Sequence, residues 1–263
     1  MMLNKLSEED FAVLRGPLES GRQSPSALGG TLILAIFGQA LFLFLESYIR
    51  NYSIYPHKEK VFTIHLVVSC ILIIFYIIYA IPLVYMNRQK TQYLLIIIAS
   101  QNIGSVSVFI LTLFIIGTNE VKINHDAGTL LTFTFISLLF GLLIFIGTSI
   151  RFYFLLKRGY YRKGSKKDKQ RRRFETKSYA PFAIIGSIGL VFIIRYLVKI
   201  FGLADIETVF MLTLAMGIFY TMIFILPEQL VILYCKFRFK SFNYSAEGNL
   251  YPLGSGSDIN GID

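Results

Sequence analysis

Four ionisable side chains interrupt apolar stretches of this sequence, where a charge is costly. Glu46, His65, Arg195 and Lys199 each fall within a stretch long enough to cross a bilayer. Ionisable groups inside membranes usually pair with one another, face water-filled cavities, or carry protons and ions. These residue types therefore predict either an ion pair that holds helices together or a polar site that binds an ion or a charged group.

The positions of these residues predict that they share one leaflet. A helix rises about 1.5 Å per residue, so Arg195 lies about 22 Å from the start of its stretch at Ala180. Lys199 follows one turn later on the same face. Glu46 lies near the end of the first stretch, and His65 lies near the start of the second. We predict that Arg195 pairs with Glu46. The alternatives are snorkelling to the interface and an outward-facing polar vestibule.

Two amides and a proline also occur within apolar stretches. Gln101 and Asn102 fall near the middle of the third stretch, where their amides need partners, so they either link helices or line a pathway. In the last stretch, Pro227 removes a backbone donor directly before Glu228. This pair predicts a hinge or, alternatively, a simple bend near a helix end with a solvated acid.

Motifs for metal, nucleotide or hydrolase chemistry do not occur in the sequence. Its three histidines are scattered, its two cysteines form no CxxC pair, and it contains no HExxH, Walker A or GxSxG pattern. We therefore expect no cofactor, no metal and no enzymatic activity. An enzyme acting on lipids would need a cluster of acids or histidines at one interface, and Glu228 alone does not supply it.

The composition indicates which elements must position these residues. The chain of 263 residues is 54% hydrophobic and 16% charged, whereas a soluble domain carries about 25% charged residues. Its apolar residues occur in long blocks without the alternation of membrane β-strands. We predict an all-α integral membrane protein, a bundle of about six transmembrane helices. The predicted spans are Ala27–Ile49, Val61–Met86, Tyr93–Gly117, Ala127–Leu156, Ala180–Gly202 and Thr208–Cys235.

Three regions follow from these spans. Residues 1–26 form a cytoplasmic N-terminal segment, in which Leu3–Leu14 is either a short amphipathic helix with Ser7 as its N-cap or a flexible lead-in. Residues 27–242 form the transmembrane domain. Residues 243–263 are rich in glycine and serine and predict a flexible cytoplasmic tail.

The charge distribution predicts the orientation. The formal net charge is +10, and the loop at residues 157–178 is by far the most basic segment. Because basic loops stay in the cytoplasm, six spans place both termini there as well, in a multi-pass protein of the cell membrane. The loop is expected to contact anionic lipid headgroups. A nucleic-acid partner is not expected, because topology alone accounts for the basic run.

Three functions fit these features of the sequence. The first is binding, as an accessory subunit or an immunity-type protein, with a membrane protein partner or a second copy of the chain. The second is a small transporter, channel or permease subunit with a polar site between spans 1, 2, 3 and 5. The third, an intramembrane enzyme, has the least support.

Overall fold

The protein is helical throughout the part that the computed structural model describes, which comprises residues 5–118, 126–166, 168–169 and 204–255. Five helices in these ranges are long and apolar enough to cross a membrane, and the same ranges contain no strands, only two isolated β-bridges. The predicted span at 180–202 lies outside the described residues. The long helices are α1 (Pro25–Arg50), α2 (Lys58–Ala80), α3 (Gln89–Ile116), α4 (Ala127–Lys157) and α5 (Ala204–Arg238).

Local chemistry explains where two of these helices begin. At the start of α1 the Ser24 side chain accepts a hydrogen bond from the Ala27 N–H, and Pro25 occupies the first helical position. At the start of α4 the Asp126 carboxylate accepts one from the Thr129 N–H at 3.0 Å. Both side chains satisfy a donor that has no partner within its helix.

The second predicted span ends earlier than its hydropathy indicates. The prediction extends it to Met86, but α2 ends at Ala80 and a separate short helix covers Pro82–Asn87. Ile81 between them is extended, with φ −74° and ψ 128°. The residue before a proline is driven out of the helical region, because the proline ring clashes with its backbone.

Helix α3 is interrupted by a π-helical segment, Asn102–Ser107. In a regular α-helix, residues five apart point about 140° away from each other. The wider turn closes hydrogen bonds between residues five apart and so brings them onto one face. Asn102 and Ser107, five residues apart, accordingly both contact the same side chain, Gln39 of α1.

Two apolar clusters define the two ends of the bundle. The first end, which we call the cap end, combines the start of α1 and α3 with the final turns of α4 and α5. Its core residues include Leu28, Tyr93, Leu156 and Cys235. The opposite end combines the start of α2 and α4 with the end of α3, and includes Phe62, Leu130 and Phe114. Helices α4 and α5 therefore run in the same direction.

Helix α5 approaches α3 and α4 at glycines. A Cβ added at Gly104 of α3 would lie 3.0 Å from Met222 Cγ, and one added at Gly141 of α4 would lie 2.9 Å from Ile223 Cδ1. Small residues let transmembrane helices pack closely where lipid supplies no hydrophobic driving force. These two contacts fix α5 between α3 and α4.

Segments near both ends of the chain, within residues 5–24 and 239–255, pack onto the cap end, although the sequence predicts a flexible tail and leaves a flexible lead-in open. A 3-10 helix forms at Glu8–Arg15 with Ser7 as its N-cap. Phe11 and Leu14 from this helix and Phe242 from the other end of the chain are fully buried in one cluster. Apolar side chains near the two ends thus form a core of their own. Residues 256–263 lie outside the described part.

We call residues 5–24, 161–162 and 239–255 the terminal cap, because they cover the cap end of the helix bundle. Hydrogen bonds hold these segments together. Arg15 donates through Nη2 to the Tyr251 carbonyl at 2.8 Å, and the Tyr244 hydroxyl donates to the Leu18 carbonyl at 2.7 Å. The Val13 N–H donates to the Tyr161 carbonyl at 2.8 Å. The two ends of the chain and the start of the basic loop are therefore held together.

An ion pair joins the cap to the basic loop. Arg162 donates through Nε to Asp10 Oδ1 at 2.7 Å, and the Ser7 N–H donates to Asp10 Oδ2 at 2.9 Å. Burial raises the pKa of Asp10, but the hydrogen bonds from Arg162 and Ser7 outweigh burial and hold that pKa below its usual value. Because the folded pKa is depressed, the pair stabilises the fold above the unfolded pKa of about 4 and is lost as the pH falls through the folded pKa.

Replacing Asp10 tests this ion pair. We expect D10N to lower the free energy of unfolding at pH 7 by about 1 kcal/mol, since the Arg162 side chain is 60% exposed and its attraction is screened. Thermal unfolding in detergent measures the loss. The difference between wild type and D10N should shrink below about pH 4. Substitution of the exposed neighbour, E9Q, is the matched control, and an equal loss in E9Q would contradict the assignment.

Candidate functional site

The Glu46–His65 pair forms the centre of the site. His65 Nδ1 lies 2.8 Å from Glu46 Oε2, with Glu46 fully buried and His65 4% exposed. Glu46 lies four residues before the end of α1, about 6 Å below it. The structure therefore brings together two of the four ionisable residues that the sequence places in one leaflet.

A line of neutral polar side chains continues from this pair into the bundle. His65 Nε2 lies 3.4 Å from Ser107 Oγ, which accepts from Gln39 Nε2 at 3.2 Å. Gln39 Oε1 accepts from Asn102 Nδ2 at 2.8 Å, and the same amide nitrogen donates to Ser69 Oγ at 3.0 Å. We call the set the polar network; it comprises Gln39, Glu46, His65, Ser69, Asn102 and Ser107, all buried.

Helical spacing explains how three helices contribute to one network. Gln39 and Glu46 are seven residues apart and so lie two turns apart on one face of α1. His65 and Ser69 of α2 are one turn apart in the same way. On α3 only the π-helical segment places its two members on one face. The network therefore joins α1, α2 and α3 at this depth.

Sequence reasoning did not single out Ser69 or Ser107 as site residues. The position of Ser69 four residues after His65 was a usable signal, because both point to one face of a helix. Ser107 gave no such signal, since α-helical spacing turns it away from Asn102.

The two predicted amides of α3 face different neighbours. Asn102 joins the polar network, whereas Gln101 Nε2 donates to the Met222 carbonyl of α5 at 3.0 Å and lies 3.4 Å from Gln229 Oε1. Both amides link helices, which is one of the two roles that the sequence leaves open. A third amide, Gln92, donates to the Pro25 carbonyl at 2.9 Å and was not predicted.

Two basic side chains beside the pair contact groups other than Glu46. Arg50, one turn beyond Glu46, lies 3.2 Å from Glu59 and stacks over the ring of Phe62 at 4.3 Å. Lys58 donates to the Ser53 carbonyl at 2.6 Å. Within the described residues, Glu46 Oε1 is buried and accepts no hydrogen bond.

The remaining predicted site residues do not join this centre. Arg195 and Lys199 lie outside the described residues, so their pairing with Glu46 stays a prediction. Pro227 lies inside the continuous helix α5, and Glu228 beside it is partly buried at the cap end, near Phe152 and Tyr161. The hinge is therefore still a hypothesis, because α5 continues through the proline.

The predicted polar vestibule is not found among the described residues. A cavity of about 870 Å³ lies at the same end between α1, α3 and α5, but apolar side chains such as Phe42, Leu111 and Met211 form most of its wall. No member of the polar network lines it. Within the described residues, no group of three or more His, Cys, Asp or Glu side chains could hold a metal ion.

Removing the Ser107 hydroxyl tests whether the network stabilises the bundle. We expect S107A to lower the free energy of unfolding by about 0.6 kcal/mol, the average for side-chain hydrogen bonds between membrane helices, and by no more than the observed maximum of about 1.7 kcal/mol. Ser107 contacts both Gln39 and His65. Ser100 of the same helix bonds only to the Ile97 carbonyl within α3, so S100A is the matched control and should cost less. Equal losses would contradict a cross-helix role.

Comparison with known proteins adds no relative: no protein-family model, no curated protein and no solved structure matches the chain. The geometry of the polar network is therefore the basis for a proposal about function.

Proposed function

We propose that the protein is a small transporter or permease subunit of the cell membrane, in which the polar network is the ion-handling site. The observation that carries this proposal is the buried Glu46–His65 pair at 2.8 Å within two membrane-type helices. Ionisable residues are rare in such helices and usually mark the path of an ion or a proton. The pair therefore moves transport ahead of the binding function that the sequence alone favours.

The proposed topology has six spans. Helices α4 and α5 both end at the cap end, in contact with the same cluster through Leu156 and Cys235. Because α4 ends at one end of the bundle and α5 begins at the other, we propose that the chain between them crosses back over the length of a 31-residue helix. The apolar stretch at 180–202 is long enough for that crossing.

The proposed orientation places the cap end in the cytoplasm. Exposed basic side chains collect there on the start of the loop after α4, at Lys157, Arg158, Lys163 and Lys166. Short basic loops stay on the cytoplasmic side. The same side chains suit anionic lipid headgroups, which attract each basic residue by about 1 kcal/mol.

Reporter fusions test this topology. A reporter joined after Arg173 should be cytoplasmic, and one joined after Asp205 should be on the outer side, because one crossing separates the two positions. Paired enzymatic reporters that are active on opposite sides of the membrane give the measurement. Two fusions on the same side would contradict the six-span arrangement.

Ion flux tests the proposed function. Purified protein in liposomes should dissipate an imposed proton, sodium or potassium gradient faster than protein-free liposomes, as measured with a trapped dye selective for the imposed ion. We expect E46Q to lose most of this flux, because the substitution removes the acid of the network. Glu247 is exposed in a turn of the terminal cap, so E247Q is the matched control and should keep it.

Binding without transport is the second candidate, as an accessory subunit or an immunity-type protein. It is favoured by the enclosure of the network, since all six of its side chains are buried and none lines the neighbouring cavity. This candidate predicts no flux for any ion tested and a loss of stability alone in E46Q. An enzymatic role is not proposed.

A further inference from the structure

We propose that Glu46 and His65 form a proton-binding site that holds one proton between them inside the membrane. The inference deepens the proposed transport function by naming the proton as the ion of the polar network. The two atoms that would share it, Glu46 Oε2 and His65 Nδ1, lie 2.8 Å apart.

Charge balance argues for a single proton. With one proton the pair is neutral overall, either as carboxylate and imidazolium or as carboxylic acid and neutral imidazole. With no proton, or with two, it carries a net charge in surroundings where an uncompensated charge is costly. Transfer of the proton between oxygen and nitrogen moves it along one hydrogen bond and leaves the pair neutral.

Among the described residues, Glu46 and His65 form an ion pair only with each other; Arg195 and Lys199 lie outside these residues. Arg50 and Glu59 compensate each other at 3.2 Å above the pair, and α3 faces it with the neutral side chains Ser107 and Asn102. Helix α5 packs Phe219 against Phe109 and Met222 against Gly104 of α3. Its Tyr220 donates instead to the Ser137 carbonyl of α4 at 3.4 Å.

The unsatisfied oxygen of Glu46 agrees with this charge state. Among the described residues Oε1 accepts no hydrogen bond although it is buried. The Glu46 carboxyl group has His65 and the Ser107 hydroxyl as neighbours, but an ionised carboxylate with one free oxygen is still more expensive to bury than a carboxyl group that carries or shares a proton.

Ser107 can hydrogen-bond to His65 both when the Glu46–His65 pair holds the shared proton (the loaded state) and when it does not (the unloaded state). When the pair holds its proton, His65 Nε2 carries hydrogen and donates to Ser107 Oγ, 3.4 Å away. When the proton leaves and hydrogen stays on Nδ1, Nε2 becomes an acceptor, and the Ser107 hydroxyl can rotate to donate to it. Gln39 donates to the same Oγ in either state. Proton exchange therefore keeps the contacts of Ser107 with His65 and Gln39.

Nitrogen NMR of the histidine rings tests the proton count directly. The chain has three histidines, so H57N/H125N leaves His65 as the single histidine without changing the pair. In ¹⁵N-histidine-labelled protein in nanodiscs at pH 7, we expect His65 with both ring nitrogens protonated, or with Nε2 alone protonated beside a carboxylic acid. Infrared absorption of a protonated carboxyl group that E46Q removes identifies the second form.

Two results would overturn the proposal: a neutral His65 ring without a protonated Glu46 carboxyl group, which means that the pair holds no proton, and a doubly protonated ring together with a protonated carboxyl group, which means that it holds two. The liposome flux assay separates this failure from that of the proposed function. If the pair holds a proton but no ion flux is measured, the proton-binding site stands and the transport function is contradicted. If another ion flows and the pair holds no proton, the transport function stands and the proton-binding site is contradicted.

Discussion

The need to satisfy buried polar groups without water is the constraint on which the bundle depends. Glu46 and His65 contact each other at 2.8 Å, and hydrogen bonds of Gln39, Asn102 and Ser107 join three helices. In lipid, an unpaired polar group costs several kcal/mol, so these helices cannot slide or rotate independently without exposing one. The polar network thus sets the register of α1, α2 and α3, and α5 then packs onto α3 through Gly104.

The terminal cap stabilises one end of the bundle in a second way. Its core is apolar, with Phe11, Leu14 and Phe242 fully buried. Its polar contacts connect chain positions that are far apart in sequence, such as Arg15 with the Tyr251 carbonyl. The cap therefore ties the ends of α1, α4 and α5 together from outside the membrane-type helices, while the network joins α1 to α3 within them.

Hydropathy predicted the helical membrane class and, to within a few residues, the bounds of α1, α3 and α4, because long apolar blocks leave little alternative. It missed the break at Ile81, since a proline near a span end changes the backbone without changing hydropathy. It also predicted a flexible tail where residues 243–255 pack onto the cap end, because their apolar residues are too few and too interspersed with polar ones to signal a core.

The candidate site was predictable in part for the same physical reasons. Counting residues placed Glu46 and His65 at one depth, and they form a pair. Counting residues along a regular α-helix could not predict that Ser107 joins the polar network, because the π-helical segment changes which residues share a face of α3. The sequence predicts Arg195 as the partner of Glu46, and Arg195 lies outside the described residues. Within the described residues, Glu46 pairs with His65.

A double-mutant cycle of Glu46 and His65 measures the central interaction most directly. The free energies of unfolding of wild type, E46Q, H65Q and the double variant are compared in one detergent at one pH. The account predicts a coupling energy above about 1 kcal/mol, because each single change leaves the other member without its partner. Additive losses, with a coupling energy near zero, would contradict a pair on which the polar network depends.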